Sequence, residues 1–291
     1  MEQLKQFLVY YRIENYVCPT TYWFFEDEIF SFEFKGQNIT ITHKDTLERT
    51  ASRTECYYFP AERIALPMIS ESLFELTLAQ STLPQYFLQF GKDFTIARRN
   101  QNKFNLPLLG LEYEHTDGQN RITLHNNRSL LLEEASSAIQ ANVPLMIILQ
   151  CPIKESSLFV IEELELHGFP ILQKKLLYYV IERMRHPRLD HAYVVLPTHS
   201  PYILSAANNL LLAAKTARQN KSVLDQVSKI IPRKSWIEGE EFSPYYLADG
   251  GAHSIVDEQT GLIHENALDT VSEDLASESD ALMELYKPAT A

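Results

Sequence analysis

Cysteine is scarce in this sequence, and its three copies lie far apart. Cys18, Cys56 and Cys151 form no C-x-x-C pair, and their number is odd. Such a set suggests neither a disulfide framework nor a cysteine-based zinc site, because both use more closely spaced or evenly numbered thiols. We therefore expect the chain to work in the reducing cytoplasm.

The sequence also has fewer basic than acidic residues and no long apolar run. The 38 acidic residues outnumber the 26 basic ones, which gives a net charge of -12. This balance argues against binding nucleic acid through a broad positive surface, but it does not exclude binding through a local basic patch. No stretch approaches the roughly 18 apolar residues that span a bilayer, and the N-terminus lacks the pattern of a signal peptide. We expect no membrane partner.

The sequence does contain enough apolar material for a folded core. Of its 291 residues, 45% are hydrophobic, so one large domain or two ordinary ones can form. Apolar and polar residues alternate at positions 29–34, turn at Gly36, and alternate again at 39–42, which predicts a β-hairpin. Positions 70–108 are predicted to be mainly helical, and the segment RITLHN after them is predicted to be a strand.

From about residue 130 the pattern changes to helices alternating with short apolar strands. The clearest strands are predicted at positions 158–161 and 193–196, and a helix that begins at Pro170 joins them. This helix carries one apolar stripe at helical spacing, made of Leu172, Leu176, Val180 and Met184. SPYILSAANNLLLAAK, SVLDQVSKII and the acidic TVSEDLASESDALMELY predict further helices. The predicted fold class is α/β: a parallel sheet flanked by helices, with an N-terminal antiparallel β part and a helical insertion.

Two glutamates follow the first of these strands directly. In a parallel sheet the carboxyl ends of the strands face the crevice where ligands bind. Glu162 and Glu163 at that edge suit a magnesium nucleotide, because one carboxylate can hold the hydrated ion while the next orients or deprotonates a water. The alternative is a pair of ordinary solvated strand-end residues, with Glu165 at the start of a helix.

Two further segments could belong to the same site. The second strand ends in LPTHSPYIL, which places His199 at the same edge of the sheet. There the histidine could donate a hydrogen bond to a phosphate or to the attacking water. The alternative is that it caps the next helix. Ser136 and Ser137 begin another apolar helix, where hydroxyls and free amides form an anion site but also make the commonest ordinary N-cap.

Together these segments resemble the ABC-type P-loop ATPases. The relevant branch includes the structural maintenance of chromosomes proteins, the overcoming-lysogenization-defect proteins and the bacterial AAA family ATPases of defence islands. LFVIEELELHGFPILQKKL is similar to that branch's Walker B motif and D-loop, VVLPTHSPYILSAANNLLLA to its switch-histidine motif, and EEASSAIQANVPL to its signature motif. YYFPAERIALP resembles its PAER segment. The order and spacing agree from about Tyr57 to the C-terminus.

The resemblance implies a role for each matching residue and an ABC-ATPase-like sheet. Glu162 would be the magnesium-associated acid, Glu163 the catalytic base and His199 the γ-phosphate sensor. Ser136, Ser137 and Gln140 would be the signature residues that meet a nucleotide held by another subunit. The implied cofactors are ATP and Mg²⁺, used in a bacterial defence or DNA-maintenance system.

The same resemblance divides the chain into four parts. Residues 1–56 are predicted to be a β-rich remnant of the nucleotide-binding lobe, and residues 57–130 the PAER segment and a helical insertion. Residues 131–265 would form the ATPase core with the signature, Walker B, D-loop and switch histidine, and residues 266–291 a C-terminal acidic helix.

One main motif of the family is absent. Its Gly-rich loop GxxxxGK[ST] surrounds the phosphates, but the only Gly-Lys pair here is Gly91-Lys92, and Asp93 follows it. We expect the first strand and phosphate loop to be missing. Four smaller departures replace the family's usual proline, apolar residue, threonine and glycine: Leu164, Gly168, Pro197 and Ala138.

Three functions are therefore open. The first is an ATPase that works as a homodimer, or with a hetero-partner carrying a P-loop or an effector nuclease. The second is a scaffold of the same fold that no longer binds nucleotide. The third is a metal-dependent hydrolase that uses Glu162, Glu163, Glu165 and His167.

Overall fold

The first strands that the structure describes form an antiparallel sheet. The structure is a computed structural model that describes residues 20–26, 30–35, 38–43, 55–69, 83–151, 156–185, 191–264 and 267–286. Its first three strands form one sheet in the order β1-β2-β3: β1 (Tyr22–Glu26), β2 (Phe30–Lys35) and β3 (Asn38–His43). The predicted hairpin is confirmed, since the antiparallel register of β2 and β3 sets Phe34 opposite Ile39.

The next segment joins a strand to a helix that lies across the core. Strand β4 (Glu55–Phe59) runs into a 3-10 helix (Ala61–Ala65) and the single-turn helix α1 (Leu66–Ile69). Helix α2 (Gln85–Asn100) then buries three phenylalanines along one face: Phe87, Phe90 and Phe94. The helical prediction for positions 70–108 is confirmed in α2, while residues 70–82 lie outside the described part of the chain.

A second antiparallel sheet follows, of which only one strand was predicted. Its strands have the order β5-β6-β7-β8: β5 (Lys103–Leu106), β6 (Leu111–Thr116), β7 (Gln119–Leu124) and β8 (Ser129–Leu131). The strand predicted from RITLHN is β7. The helical prediction is wrong at 103–106, because Phe104 and Leu106 are buried while Lys103 and Asn105 between them are exposed, a period of two that belongs to a strand.

The remaining part of the fold is the parallel sheet with its crossover helices. Helix α3 (Ser137–Gln150) is buried continuously from Ala141 to Leu149. Strand β9 (Ser156–Ile161), helix α4 (Pro170–Met184), strand β10 (His191–Val195) and helix α5 (Pro201–Gln219) then follow in order. Both β4 and β10 pair with β9 in parallel, which gives the sheet order β10-β9-β4 and confirms an α/β fold with a helix-flanked parallel sheet.

The apolar stripe predicted for α4 faces the core. Leu176 and Val180 are fully buried, and Leu172 and Met184 are partly buried against the same cluster. Burying a leucine or valine side chain contributes about 1.5–3 kcal/mol, so this stripe holds the crossover helix on the sheet. The helix therefore fixes where β9 and β10 end.

The C-terminal part adds short helices and a hairpin. Helix α6 (Leu224–Ile230) and the strands β11 (Tyr245–Ala248) and β12 (Gly251–Ser254) precede the last helix, α7 (Ala267–Leu285). These helices agree with the predictions made for SVLDQVSKII and TVSEDLASESDALMELY. No helix within the described ranges is long and apolar enough to cross a membrane.

Candidate functional site

The two predicted glutamates lie at the carboxyl edge of the parallel sheet and are tied to both neighbouring strands. Backbone N–H of Glu162 donates to the carbonyl of Phe59 at the end of β4, at 3.0 Å. Backbone N–H of Glu163 donates to the carbonyl of Pro197 beyond β10, also at 3.0 Å. The segments that follow β4, β9 and β10 are thus held together at one edge of the sheet, where the sequence predicts a ligand site.

Glu163 has an unusual backbone conformation. Its φ is +42°, in the left-handed region that side chains other than glycine rarely adopt, at a cost on the order of 1–3 kcal/mol. The carbonyl of Glu163 accepts hydrogen bonds from Leu166 N at 2.9 Å and from Arg63 Nη2 at 2.6 Å. Its half-buried carboxylate receives no hydrogen bond from the described residues. The surrounding bonds hold the strained backbone while the acid is left available to a water or ligand.

Arg63 is the residue that sequence reasoning missed. It is fully buried, and its guanidinium donates to three carbonyls: those of Pro60 at 3.1 Å, Glu162 at 2.6 Å and Glu163 at 2.6 Å. A planar guanidinium can serve several acceptors in fixed directions. The PAER segment was noted in the sequence, but nothing there assigned this arginine to the glutamates, which lie about 100 residues further along the chain.

Three carboxylates act electrostatically on the Arg63 guanidinium. Burial lowers the pKa of Arg63 to about 10, and Glu165, Glu163 and Glu162 oppose that shift in decreasing order. The guanidinium therefore stays charged at neutral pH. Its Nε is buried without a hydrogen-bond partner in the described structure. An unpaired buried charge is strongly unfavourable, and here the three carbonyl bonds and the negative charge of the glutamates offset that cost.

The Glu162 carboxylate is already partly engaged by the protein. Its Oε2 accepts a hydrogen bond from the backbone N–H of Ala61 at 3.1 Å. Burial and then a hydrogen bond to Glu162 raise the pKa of Tyr58, so the tyrosine stays protonated and can donate. These contacts hold the Glu162 carboxylate near the end of β4. A carboxylate has more lone pairs than these donors use, so it could also accept a magnesium-bound water.

Glu165 joins the segment after β9 to the segment after β10. Its Oε1 accepts from Thr198 Oγ1 at 2.7 Å and from the backbone N–H of His199 at 2.8 Å. Its Oε2 is buried and has no hydrogen-bond partner among the described residues. The alternative that Glu165 starts a helix is wrong, because residues 162–167 form turns and α4 begins at Pro170.

His199 lies at the same edge and does not cap α5. The cap is Ser200, whose Oγ accepts from the backbone N–H groups of Tyr202 at 3.2 Å and Ile203 at 3.3 Å. Ser200 Oγ donates in turn to Gln173 Oε1 at 2.6 Å. The His199 side chain is exposed, so the structure leaves its imidazole open to the crevice or to solvent rather than using it in the fold.

The turn between Glu163 and α4 is closely packed. Gln173 Nε2 donates to the carbonyl of Gly168 at 2.7 Å. A Cβ added at Gly168 would lie 3.2 Å from the carbonyl oxygen of Glu165, closer than most side-chain contacts. Leu164, where the resembling motif has proline, is fully buried in the core. Both departures from the motif are therefore accommodated by local packing.

The signature-like residues form a separate helix start. Ser136 occupies the N-cap position of α3 without a side-chain capping bond, and Ser136 and Ser137 are both exposed. Gln140 Nε2 donates to the carbonyls of Glu133 at 3.0 Å and Ala135 at 2.8 Å, which fixes the loop before the helix. Within the described residues no hydrogen bond joins this segment to the glutamates or to His199. The signature role that the resemblance implies for these residues stays a prediction.

No phosphate loop or multidentate metal site is formed by the described residues. Gly91 lies buried in the middle of α2, so the Gly91-Lys92 pair belongs to a regular helix. No group of three or more His, Cys, Asp or Glu in the described part of the chain is arranged to hold a metal ion. A magnesium ion that arrives with a nucleotide needs only one or two protein carboxylates.

Comparison with known proteins adds no family assignment. The sequence matches no protein-family model and no curated protein. The resemblance to ABC-type ATPases therefore stays a prediction from the sequence motifs.

Proposed function

We propose that this chain provides the magnesium and water side of an ABC-type ATP site. The observation that carries the proposal is the meeting of Glu162, Glu163 and the segment of His199 at the carboxyl edge of one parallel sheet, joined by the bond from Glu163 N to Pro197 O. A strained, non-glycine backbone at Glu163 supports it, because such conformations cluster at functional sites.

The residues divide the chemistry between them. Glu162 would hold a magnesium ion through its hydration shell, and that ion would offset phosphate charge. Glu163, whose carboxylate has no hydrogen-bond donor in the described structure, would orient the attacking water and accept its proton. His199 would donate an imidazole hydrogen bond to the terminal phosphate or the water. Arg63 would position both glutamates through their carbonyls without touching the nucleotide.

The phosphate side of the site would have to come from residues outside this sequence. The sequence contains no GxxxxGK[ST] loop, and the chain carries a net charge of -12, which opposes the approach of a polyphosphate on its own. A P-loop-bearing partner would supply backbone amides and a lysine. The exposed Ser136 and Ser137 of this chain would then meet the nucleotide of such a partner.

The test is ATP hydrolysis by the purified chain, alone and mixed with a P-loop protein encoded beside it. We expect Mg²⁺-dependent turnover in the mixture and a fall of about 100-fold or more in Glu163→Gln, the usual effect of removing a general base. Glu258→Gln, which changes an exposed acid in the C-terminal part, is the matched control and should keep full activity. Absence of both turnover and ATP-dependent association would refute the proposal.

A second candidate is a scaffold of the same fold that binds no nucleotide. It is favoured by the Glu162 carboxylate, which already accepts a hydrogen bond from Ala61 N and interacts with Tyr58. In that case the acids around Arg63 would serve only to hold strand ends together. The scaffold predicts no ATP-dependent change in stability or association in any variant.

A further inference from the structure

The last helix has no covered face in the described part of the chain. Every side chain described between Asp274 and Tyr286 is exposed. Five of them are large and apolar, with exposed fractions from 60 to 78%: Leu275, Leu282, Met283, Leu285 and Tyr286. A large contiguous apolar surface of this kind marks an interaction site, whereas single exposed apolar residues are ordinary.

These apolar residues share one side of helix α7. Leu275, Leu282 and Tyr286 are seven and four residues apart, which places them in one line along a helix. Met283 and Leu285 flank that line on either side. We call these five residues the apolar stripe of α7. An amphipathic helix of this form can lay its stripe into a hydrophobic groove.

The rest of α7 is acidic. Between Ala267 and Tyr286 the sequence has six acidic residues and no lysine or arginine. Asp274 and Glu278 lie beside the stripe, and Asp280 and Glu284 lie on the opposite side of the helix by their spacing. Any surface that covers the stripe therefore comes within reach of several negative charges.

A helix in this situation needs a partner. Isolated helices of fewer than about 15 residues are marginal in water, and longer ones gain most of their stability in proteins from packing an apolar face. Helix α7 spans 19 residues, but every side chain described beyond position 273 is exposed. We therefore expect a surface outside the described fold to stabilise this helix by packing against its apolar face.

We propose that the stripe of α7 docks against an apolar surface flanked by lysine or arginine on a different protein. Charge complementarity selects this occupant: basic residues pair with the acids that flank the stripe. A second copy of this chain is disfavoured, because it would bring the same acids together and itself carries a net charge of -12. The proposal is independent of ATP chemistry.

The test uses the full-length chain and two labelled helical peptides with the same leucine stripe. One peptide carries lysines on its polar positions and the other glutamates, and binding is followed by fluorescence anisotropy. We expect the basic peptide to bind at least about tenfold more tightly than the acidic one, and more weakly as salt rises.

Variants identify the surface. Leu275→Gln with Leu282→Gln should weaken binding of the basic peptide by about tenfold or more, as expected when leucines leave an apolar contact. Leu247→Gln, at an equally exposed leucine of β11, is the control and should change nothing. Equal binding of the two peptides, no binding, or an undiminished signal in the double variant would overturn the proposal. So would a dimer in sedimentation that the double variant converts to monomer, since the stripe would then pair with a second copy.

Discussion

Replacing Arg63 by methionine tests whether one buried guanidinium holds the glutamate segment in place. Methionine keeps much of the side-chain volume but cannot donate to the carbonyls of Glu162 and Glu163, each now bonded at 2.6 Å. A net hydrogen bond from a charged donor contributes about 1.5–3 kcal/mol. Removing one partner of a buried charged interaction costs about 3–5 kcal/mol, and here the buried carbonyls lose their charged donor.

We therefore expect Arg63→Met to lower the free energy of unfolding by about 3–5 kcal/mol. For a chain of this size that is a fall in Tm of roughly 6–20 °C, measured by thermal denaturation and by urea titration of the fluorescence of the buried Trp236. Arg99→Met, at an exposed arginine of α2, is the matched control and should change stability by less than about 0.5 kcal/mol.

The result that would refute this reasoning is a loss as small as that of the control. Arg63→Lys separates charge from geometry: a lysine keeps the positive charge but lacks the planar fork that reaches several carbonyls. We expect it to recover only part of the lost stability. Full recovery would show that the surrounding acids, rather than the carbonyl bonds, are what Arg63 satisfies.

Three further changes probe single features of the fold. The free energy of unfolding of Glu163→Gly should exceed that of Glu163→Ala by about 1 kcal/mol, because φ is +42° at this position. At Lys175, an exposed helical position, the alanine variant should instead be the more stable of the two. The same order at both sites would contradict backbone strain at Glu163. Burial raises the pKa of Asp93 from 3.8 to about 6, so the ionised form destabilises the fold above pH 6 and the penalty disappears as pH falls toward 4. Asp93→Asn should thus raise the free energy of unfolding by about 1 kcal/mol at pH 7.5, after allowance for solvent screening. It should also make that free energy, measured by urea titration, less dependent on pH between about pH 4 and 6. An unchanged pH dependence would contradict the burial of this carboxylate. Thr198→Val removes the 2.7 Å hydrogen bond to Glu165 and should cost about 1–3 kcal/mol in the same titrations, whereas Thr198→Ser should cost less.

Periodicity predicted the parallel sheet well but missed most of the second antiparallel sheet. The crossover helix α4 has a long apolar stripe and a proline at its first position, both strong local signals. Strands β5 to β8 have three to six residues each, and the first of them lies within a segment whose overall pattern predicted helix. One local signal was present: Asp117 and Gly118, both with positive φ, form the turn between β6 and β7, and Asp-Gly between alternating segments is typical of a hairpin.

The acids of the site were predictable and their supports were not. Glu162 and Glu163 could be placed because residues after parallel strands share one edge of the sheet. The contact with Arg63 depends on tertiary folding across about 100 residues, which no local pattern encodes. The left-handed backbone of Glu163 was equally hidden, because a glutamate gives no sign of positive φ as a glycine does.

Stabilisation by Mg·ATP is the measurement that tests the central claim most directly. A ligand that binds only the folded protein, present at five times its dissociation constant, adds about 1 kcal/mol, or roughly 2–4 °C in Tm for a chain of this size. The ATP-site account predicts such a rise in the unmodified protein mixed with a P-loop-bearing protein, its loss in Glu162→Gln, and its retention in Glu258→Gln. No rise in any protein, or an equal rise in Glu162→Gln, would contradict the account.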